Sequence, residues 1–236
     1  MNYYWTYYLF TFFLAYAVRN PWVCAVALAI YVVKPWVPDP VVLFGTLSRI
    51  GRLKKQASLN AANITVRRDL GRAYLDLRRP RRALAYLDEA RERDPRDQDI
   101  AYLRGCALLA IHKDEAALQA FGEAVGVGPD GAEPASSAPP GRGGRSFSRY
   151  GEAYLGAATA LERLQRMPQA EDALATSATF NSSLIEPLVR LARVRRAQGD
   201  VEGARKALTD ARRTFGELPG FMRRRQFGWG VRAYLG

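Results

Sequence analysis

Two stretches of this 236-residue chain repeat one another at an offset of 34 residues. Gly71, Tyr74, Ala83, Leu87, Ala90 and Pro95 are answered by Gly105, Leu108, Ala117, Phe121, Ala124 and Pro129. Each position has a physical reason. Gly71 and Gly105 allow two helices of a unit to approach closely, the alanines do the same from the second helix, and the prolines close that helix because they lack an N–H. A helix pair built this way has an apolar face it cannot bury alone, so neighbouring pairs must stack. The expected fold class is therefore all-α, an α-solenoid of helix pairs.

The pattern covers residues 63–130 as two units and returns, more loosely, over 149–218 as two more. Tyr154, Ala157, Ala158, Leu161, Ala170 and Leu174 mark the third unit, and Leu188, Leu191, Ala192, Ala204, Leu208 and Ala211 the fourth. Between them, residues 131–148 hold Pro134, Pro139, Pro140 and a run of glycines and serines, a composition that predicts a flexible loop. Gln198-Gly199-Asp200 predicts the turn inside the fourth unit. Residues 219–236, with Phe221, Met222, Phe227, Trp229 and Tyr234, predict a helix that caps the open end of the stack.

A 34-residue period with Leu-Gly, then Tyr, Ala, Phe and Pro at these places resembles the tetratricopeptide repeat, or TPR. Leu70-Gly71, Tyr74, Ala83, Leu87, Ala90 and Pro95 carry the resemblance, with Arg67 in place of the usual early tryptophan. In the fourth unit Arg195 stands at the place of Tyr74, and Gly216 replaces the closing proline. The resemblance covers residues 64–218 and implies about four helix pairs followed by the cap.

Residues 1–38 follow different rules. Tyr3 to Val18 is an aromatic-rich run without a charge, Arg19-Asn20-Pro21 interrupts it, and Trp22 to Val33 continues it until Lys34-Pro35. A secretory signal would set Lys or Arg ahead of its apolar run, and Met1-Asn2 has neither, so the segment is expected to be retained. Each run is short against the ~20 residues that span a bilayer. Two geometries fit: a hairpin of two short helices with Arg19 at its tip, or one kinked span. The hairpin keeps Arg19 from the bilayer centre, where a charge costs at least ~2.5 kcal/mol. Tyr3, Tyr4, Trp5, Tyr7, Tyr8, Trp22 and Trp36 are the expected docking residues, at interface depth or against a larger membrane complex.

Over 39–62, Leu43, Phe44, Leu47, Ile50 and Leu53 recur at helical spacing among Arg49, Arg52, Lys54 and Lys55, which predicts an interfacial basic helix. Cations beside a span mark the cytoplasmic side, which would place the repeats in the cytoplasm. Arginine- and alanine-rich usage leans toward a bacterial inner membrane.

Charge and composition exclude more than they identify. The formal net charge is +12; residues 1–48 carry only Arg19, Lys34 and Asp39, which leaves +11 on residues 49–236. Such a surplus draws anionic lipid, acidic protein segments or nucleic acid without choosing among them. One histidine, His112, and two cysteines, Cys24 and Cys106, supply neither a metal site nor a disulfide framework, and no phosphate loop or nucleophile motif is present. No catalytic residue, cofactor or metal is expected, and an enzyme is disfavoured.

What remains is recognition. The TPR resemblance implies that the first helix of each pair lines a concave face, here Arg68, Arg72 and Leu75; Tyr102, Leu103 and Cys106; Leu155 and Thr159; and Val189, Arg190, Arg193 and Arg196. Arginine forks bind carboxylates in bidentate fashion, so an acidic peptide is the expected ligand of this groove. Leu103, Glu152 and Gly156 occupy three positions of the carboxylate clamp used by chaperone-tail-binding relatives, which argues against that ligand. The leading expectation is a membrane-anchored scaffold for protein–protein interaction. An assembly factor or accessory subunit of a membrane complex, docking through the aromatic hairpin, is the alternative. A basic nucleic-acid-binding repeat protein, suggested by Arg223-Arg224-Arg225 beside Phe227 and Trp229, is disfavoured. The sequence leaves the oligomeric state open.

Overall fold

The computed structural model describes residues 40–60, 62–126 and 149–236, together with Tyr8, Thr11, Tyr16, Arg19, Asn20, Trp22 and Ala25. It divides into two compact units, residues 1–51 and 52–236. Among the described residues there are eleven helices and no strand. None of these helices is long and apolar enough to cross a membrane. The predicted loop 131–148 lies outside the described residues, as do Tyr3, Tyr4, Trp5, Tyr7, Trp36 and most of the predicted hairpin. Of the described positions there, Tyr8 and Trp22 are helical and exposed, and Asn20 is non-helical between them. That break falls where Pro21 disfavours a helical residue before it.

Helix α1 (Pro40–Leu59) straddles the division between the units. Leu53 is buried and the Lys54 ammonium lies 6.0 Å from the centre of the Tyr74 ring.

Four helix pairs follow: α2 (Ile64–Asp76) with α3 (Pro80–Arg93), α4 (Gln98–Ala110) with α5 (Asp114–Val125), α6 (Tyr150–Arg163) with α7 (Met167–Phe180), and α8 (Glu186–Ala197) with α9 (Val201–Glu217). Asn63, Asp97 and Asp200 cap α2, α4 and α9 by accepting hydrogen bonds from the N–H of Val66, Ile100 and Gly203, which satisfies donors the helix leaves free. Pro80, Pro168 and Pro187 stand in first turns, where a missing N–H costs nothing.

The turn inside each pair is the same device four times. The N–H groups of Arg79, Lys113, Arg166 and Asp200 donate to the carbonyls of Tyr74, Leu108, Leu161 and Arg195, five residues back. This is the Schellman closure, and it needs one left-handed residue. Arg78, His112, Gln165 and Gly199 supply it, with φ of 54°, 61°, 60° and 88°. Only the fourth turn uses glycine, the residue that adopts this conformation without steric cost.

Close packing explains the recurring glycines. A Cβ at Gly71 would stand 2.5 Å from Leu87 Cγ, and one at Gly105 would stand 2.7 Å from the Phe121 ring. The same ring would meet a Cβ at Gly156, on α6, at 2.5 Å. Phe121, fully buried, therefore joins the second pair to the third. In the fourth pair, Arg195 at the place of Tyr74 reaches Glu171 on α7 at 2.7 Å, and without a proline at Gly216 α9 runs for 17 residues.

Two short helices, α10 (Gly220–Arg225) and α11 (Phe227–Leu235), close the end. Ile185, Val189, Ala211, Leu218 and Ala233 form their core with the fourth pair. Buried Gln226 fastens the cap: its side-chain oxygen accepts from the Ile185 N–H at 2.9 Å and its amide donates to the Ser183 carbonyl at 2.8 Å.

Candidate functional site

The face predicted for recognition is built by the first helices of the pairs, and α2 contacts α4 as α4 contacts α6. The groove residues fall into two groups. Several stitch successive first helices together. Arg68 on α2 lies 3.5 Å from Asp97 and 3.6 Å from Asp99 at the start of α4. The Tyr102 hydroxyl on α4 donates to Glu152 on α6 at 3.1 Å, with the Arg149 guanidinium 5.3 Å from the centre of its ring. Arg190 on α8 donates to Glu162 and to the Thr159 hydroxyl of α6, and to Glu186 one turn back on its own helix.

Leu103 and Arg190 are buried, so they belong beneath the groove surface and not on it, while Val189, also buried, faces a recess at its far end. This corrects the expected ligand-facing set. Arg68 and Arg190 already face carboxylates of the chain, which removes much of the positive charge the sequence placed at the two ends of the groove. Arg72 and Arg193 are exposed and form no ion pair with any described residue. Leu75, Cys106 and Leu155 are half-buried around the middle.

Burial sets the chemistry of that middle. It pushes the Cys106 thiol up to about 11, and it raises the Tyr102 phenol well above its ordinary value, with Cys106 and Glu152 adding to the effect. Both groups stay neutral at physiological pH. Cys106 is therefore a poor nucleophile, and Tyr102 serves as a hydrogen-bond donor.

At the far end, Arg193 and Arg196 from α8 meet Arg232 from α11 around a recess of about 310 Å³. Its apolar wall is Val189, Ala192, Leu208 and Leu235. Arg196 donates to the carbonyl oxygen of Gly236 at 2.7 Å, and the Arg232 guanidinium lies 4.5 Å from the centre of the Trp229 ring. The sequence offered Arg193 and Arg196 but not Arg232, because only the return of the cap against α8 brings the two elements together. No group of His, Cys, Asp or Glu among the described residues could hold a metal ion. His112 sits on the surface at its turn, 3.5 Å from Arg163.

Residues 68–133 match the family model described as tetratricopeptide repeat. The helix pairs, their Schellman turns and their glycine contacts give the rest of the described stack the same architecture, a TPR-like helical repeat fold. No curated protein matches the chain. Solved structures share the fold. MamA is 18% identical, with a TM-score of 0.59 over 70% of this chain and 85% of that one. PilF of Pseudomonas aeruginosa is 14% identical, with a TM-score of 0.59 over 81% of each chain. PilW, described as a widely conserved type IV pilus biogenesis factor, is 15% identical, with a TM-score of 0.59 over 80% of this chain and 82% of that one. At these identities the likeness is one of fold alone.

Proposed function

We propose that this protein is a non-enzymatic scaffold that binds acidic segments of partner proteins on the face of its first helices, held at a membrane by residues 1–38. The observation that carries the reading is the arginine-rimmed recess between α8 and α11. Three guanidinium groups border an apolar wall there, and Arg193 has no carboxylate partner among the described residues. Arginine forks beside an apolar surface suit a peptide that pairs carboxylates with aliphatic or aromatic side chains. Arg72 offers a second unpaired cation on α2, with Leu75 one turn further on the same helix. The apolar runs before residue 39 support the membrane reading, and the cations of α1 favour a cytoplasmic repeat domain. A bacterial inner membrane fits the composition.

The assembly-factor reading draws support from fold likeness to a type IV pilus biogenesis factor, and from the dense aromatic set near Tyr3 to Tyr8. Affinity purification of the full chain in mild detergent discriminates. Partners lost from Arg72→Glu/Arg193→Glu, yet kept by the convex-side control Arg205→Glu, support groove recognition. Partners kept by both variants and lost when residues 1–60 are removed support docking through the hairpin.

A further inference from the structure

We propose that the terminal cap, residues 218–236, is a second lipid contact that lays α11 on an anionic bilayer surface. From Leu218 to Gly236 the chain carries Arg223, Arg224, Arg225 and Arg232 and no acidic residue. Helix α11 buries Gly230 and Ala233 against the repeats, with the Gly230 backbone against the Phe215 ring. A face beside the buried one is apolar and exposed. Phe227, Val231, Tyr234 and Leu235 are 63%, 38%, 60% and 83% exposed, and Phe221 on α10 is 75% exposed. Phe227, Val231, Tyr234 and Leu235 stand at i, i+4, i+7 and i+8, one stripe of a helix. Arg224 and Arg225 are exposed and form no ion pair with any described residue.

Charge decides which occupant fits this stripe. A second copy docking about a two-fold axis would set the same arginines against one another. A nucleic-acid strand would use stacking rings, and Val231 and Leu235 supply none. An anionic bilayer accepts both features: the apolar stripe enters the headgroup boundary, and the arginines meet lipid phosphates. The proposal rests on the reading that residues 1–38 hold the chain at a bilayer.

The test keeps the two readings apart. The full chain carries a single environment-sensitive fluorophore at Gly228→Cys, where an added Cβ meets nothing within 4 Å, in a Cys24→Ala/Cys106→Ala background. It is reconstituted in nanodiscs of phosphatidylcholine with or without phosphatidylglycerol, beside a control label at Ala85→Cys. Co-elution with nanodiscs reports the anchor. Blue-shifted, quencher-protected emission at position 228 in the anionic discs alone reports the cap. Arg224→Gln/Arg225→Gln should lower the ratio of docked to undocked cap about thirty-fold, with the control label unchanged. Equal emission at 228 in both discs overturns the proposal, as does a shift produced by a dT20 oligonucleotide and not by anionic lipid. Should the chain fail to co-elute, the anchor reading falls by itself, and the same label is read on added phosphatidylglycerol vesicles: a shift supports the cap contact and no shift overturns it.

Discussion

Gly156→Ala tests whether one ring joins the two halves of the repeat stack. The added methyl would stand 2.5 Å from Phe121 Cζ and 2.8 Å from both Cε atoms. Carbon atoms in contact prefer about 3.5–4.0 Å, so the ring must retreat by roughly 1 Å inside a packed core. Overpacking of this kind costs about 1–3 kcal/mol. Against it stands a gain of up to about 1 kcal/mol from replacing a helical glycine by alanine. The net expectation is a loss of roughly 0–2 kcal/mol. Gly216→Ala, whose Cβ meets nothing within 4 Å, keeps the helix gain without the clash and should be neutral or stabilising. The difference between the two variants, about 1–3 kcal/mol, is the informative quantity. Thermal unfolding of each full chain, followed by circular dichroism at 222 nm, measures it. Adding Phe121→Leu to Gly156→Ala should recover part of the loss by shortening the side chain that clashes. Equal stability of Gly156→Ala and Gly216→Ala would refute the contact between the second and third pairs.

Three further outcomes follow from particular residues. The left-handed turn position costs a side-chain-bearing residue about 1–2 kcal/mol, and a glycine gives back roughly 0.5–1 kcal/mol in chain entropy; Gln165→Gly should therefore be neutral to about 1 kcal/mol stabilising, whereas Gly199→Ala should be destabilising, both read as shifts in Tm. The Arg190 side chain is 9% exposed while Glu162 and Glu186 keep 26% and 29% exposure; Arg190→Ala should cost about 1–3 kcal/mol in chemical unfolding, below the full penalty of a wholly buried pair because water screens the stranded carboxylates. The Cys106 thiol, with its folded-state value raised from 9.0 to about 11, holds its proton more tightly in the fold than in the unfolded chain. Stability from this group is whole below about pH 9 and declines as pH rises from 9 to 11, and Cys106→Ala should flatten that decline in pH-resolved unfolding.

The helix pairs were legible because their signals are local or fixed at one period. Gly71 and Gly105 announce close contacts, and the alanines and prolines recur in register with them. The turns were only partly legible. Gln198-Gly199-Asp200 advertises a left-handed residue through its glycine, but the same conformation at Arg78, His112 and Gln165 is imposed by the Schellman closure on residues with no preference for it. The internal pairing of the groove residues was not legible. Arg68, Tyr102 and Arg190 find their partners 29, 50 and 28 residues away, across pairs and, for Tyr102, across the long insertion that breaks the 34-residue period. Glu152 and Glu162 therefore carry no sequence signal as partners of Tyr102 and Arg190. Arg232 was missed for a similar reason, since its place beside Arg193 and Arg196 depends on how the cap folds back.

The central claim is that partners are held on the face of the first helices. A photo-crosslinking residue placed in the full chain at Leu75 or Arg196, and at Ala85 or Arg205 on second helices as controls, tests it in the cells that make the protein. Adducts from Leu75 and Arg196 to a shared set of proteins rich in acidic segments, absent from both controls and lost with Arg72→Glu/Arg193→Glu, are the predicted result. Adducts that form from the second helices and leave the first-helix positions unreacted would contradict it.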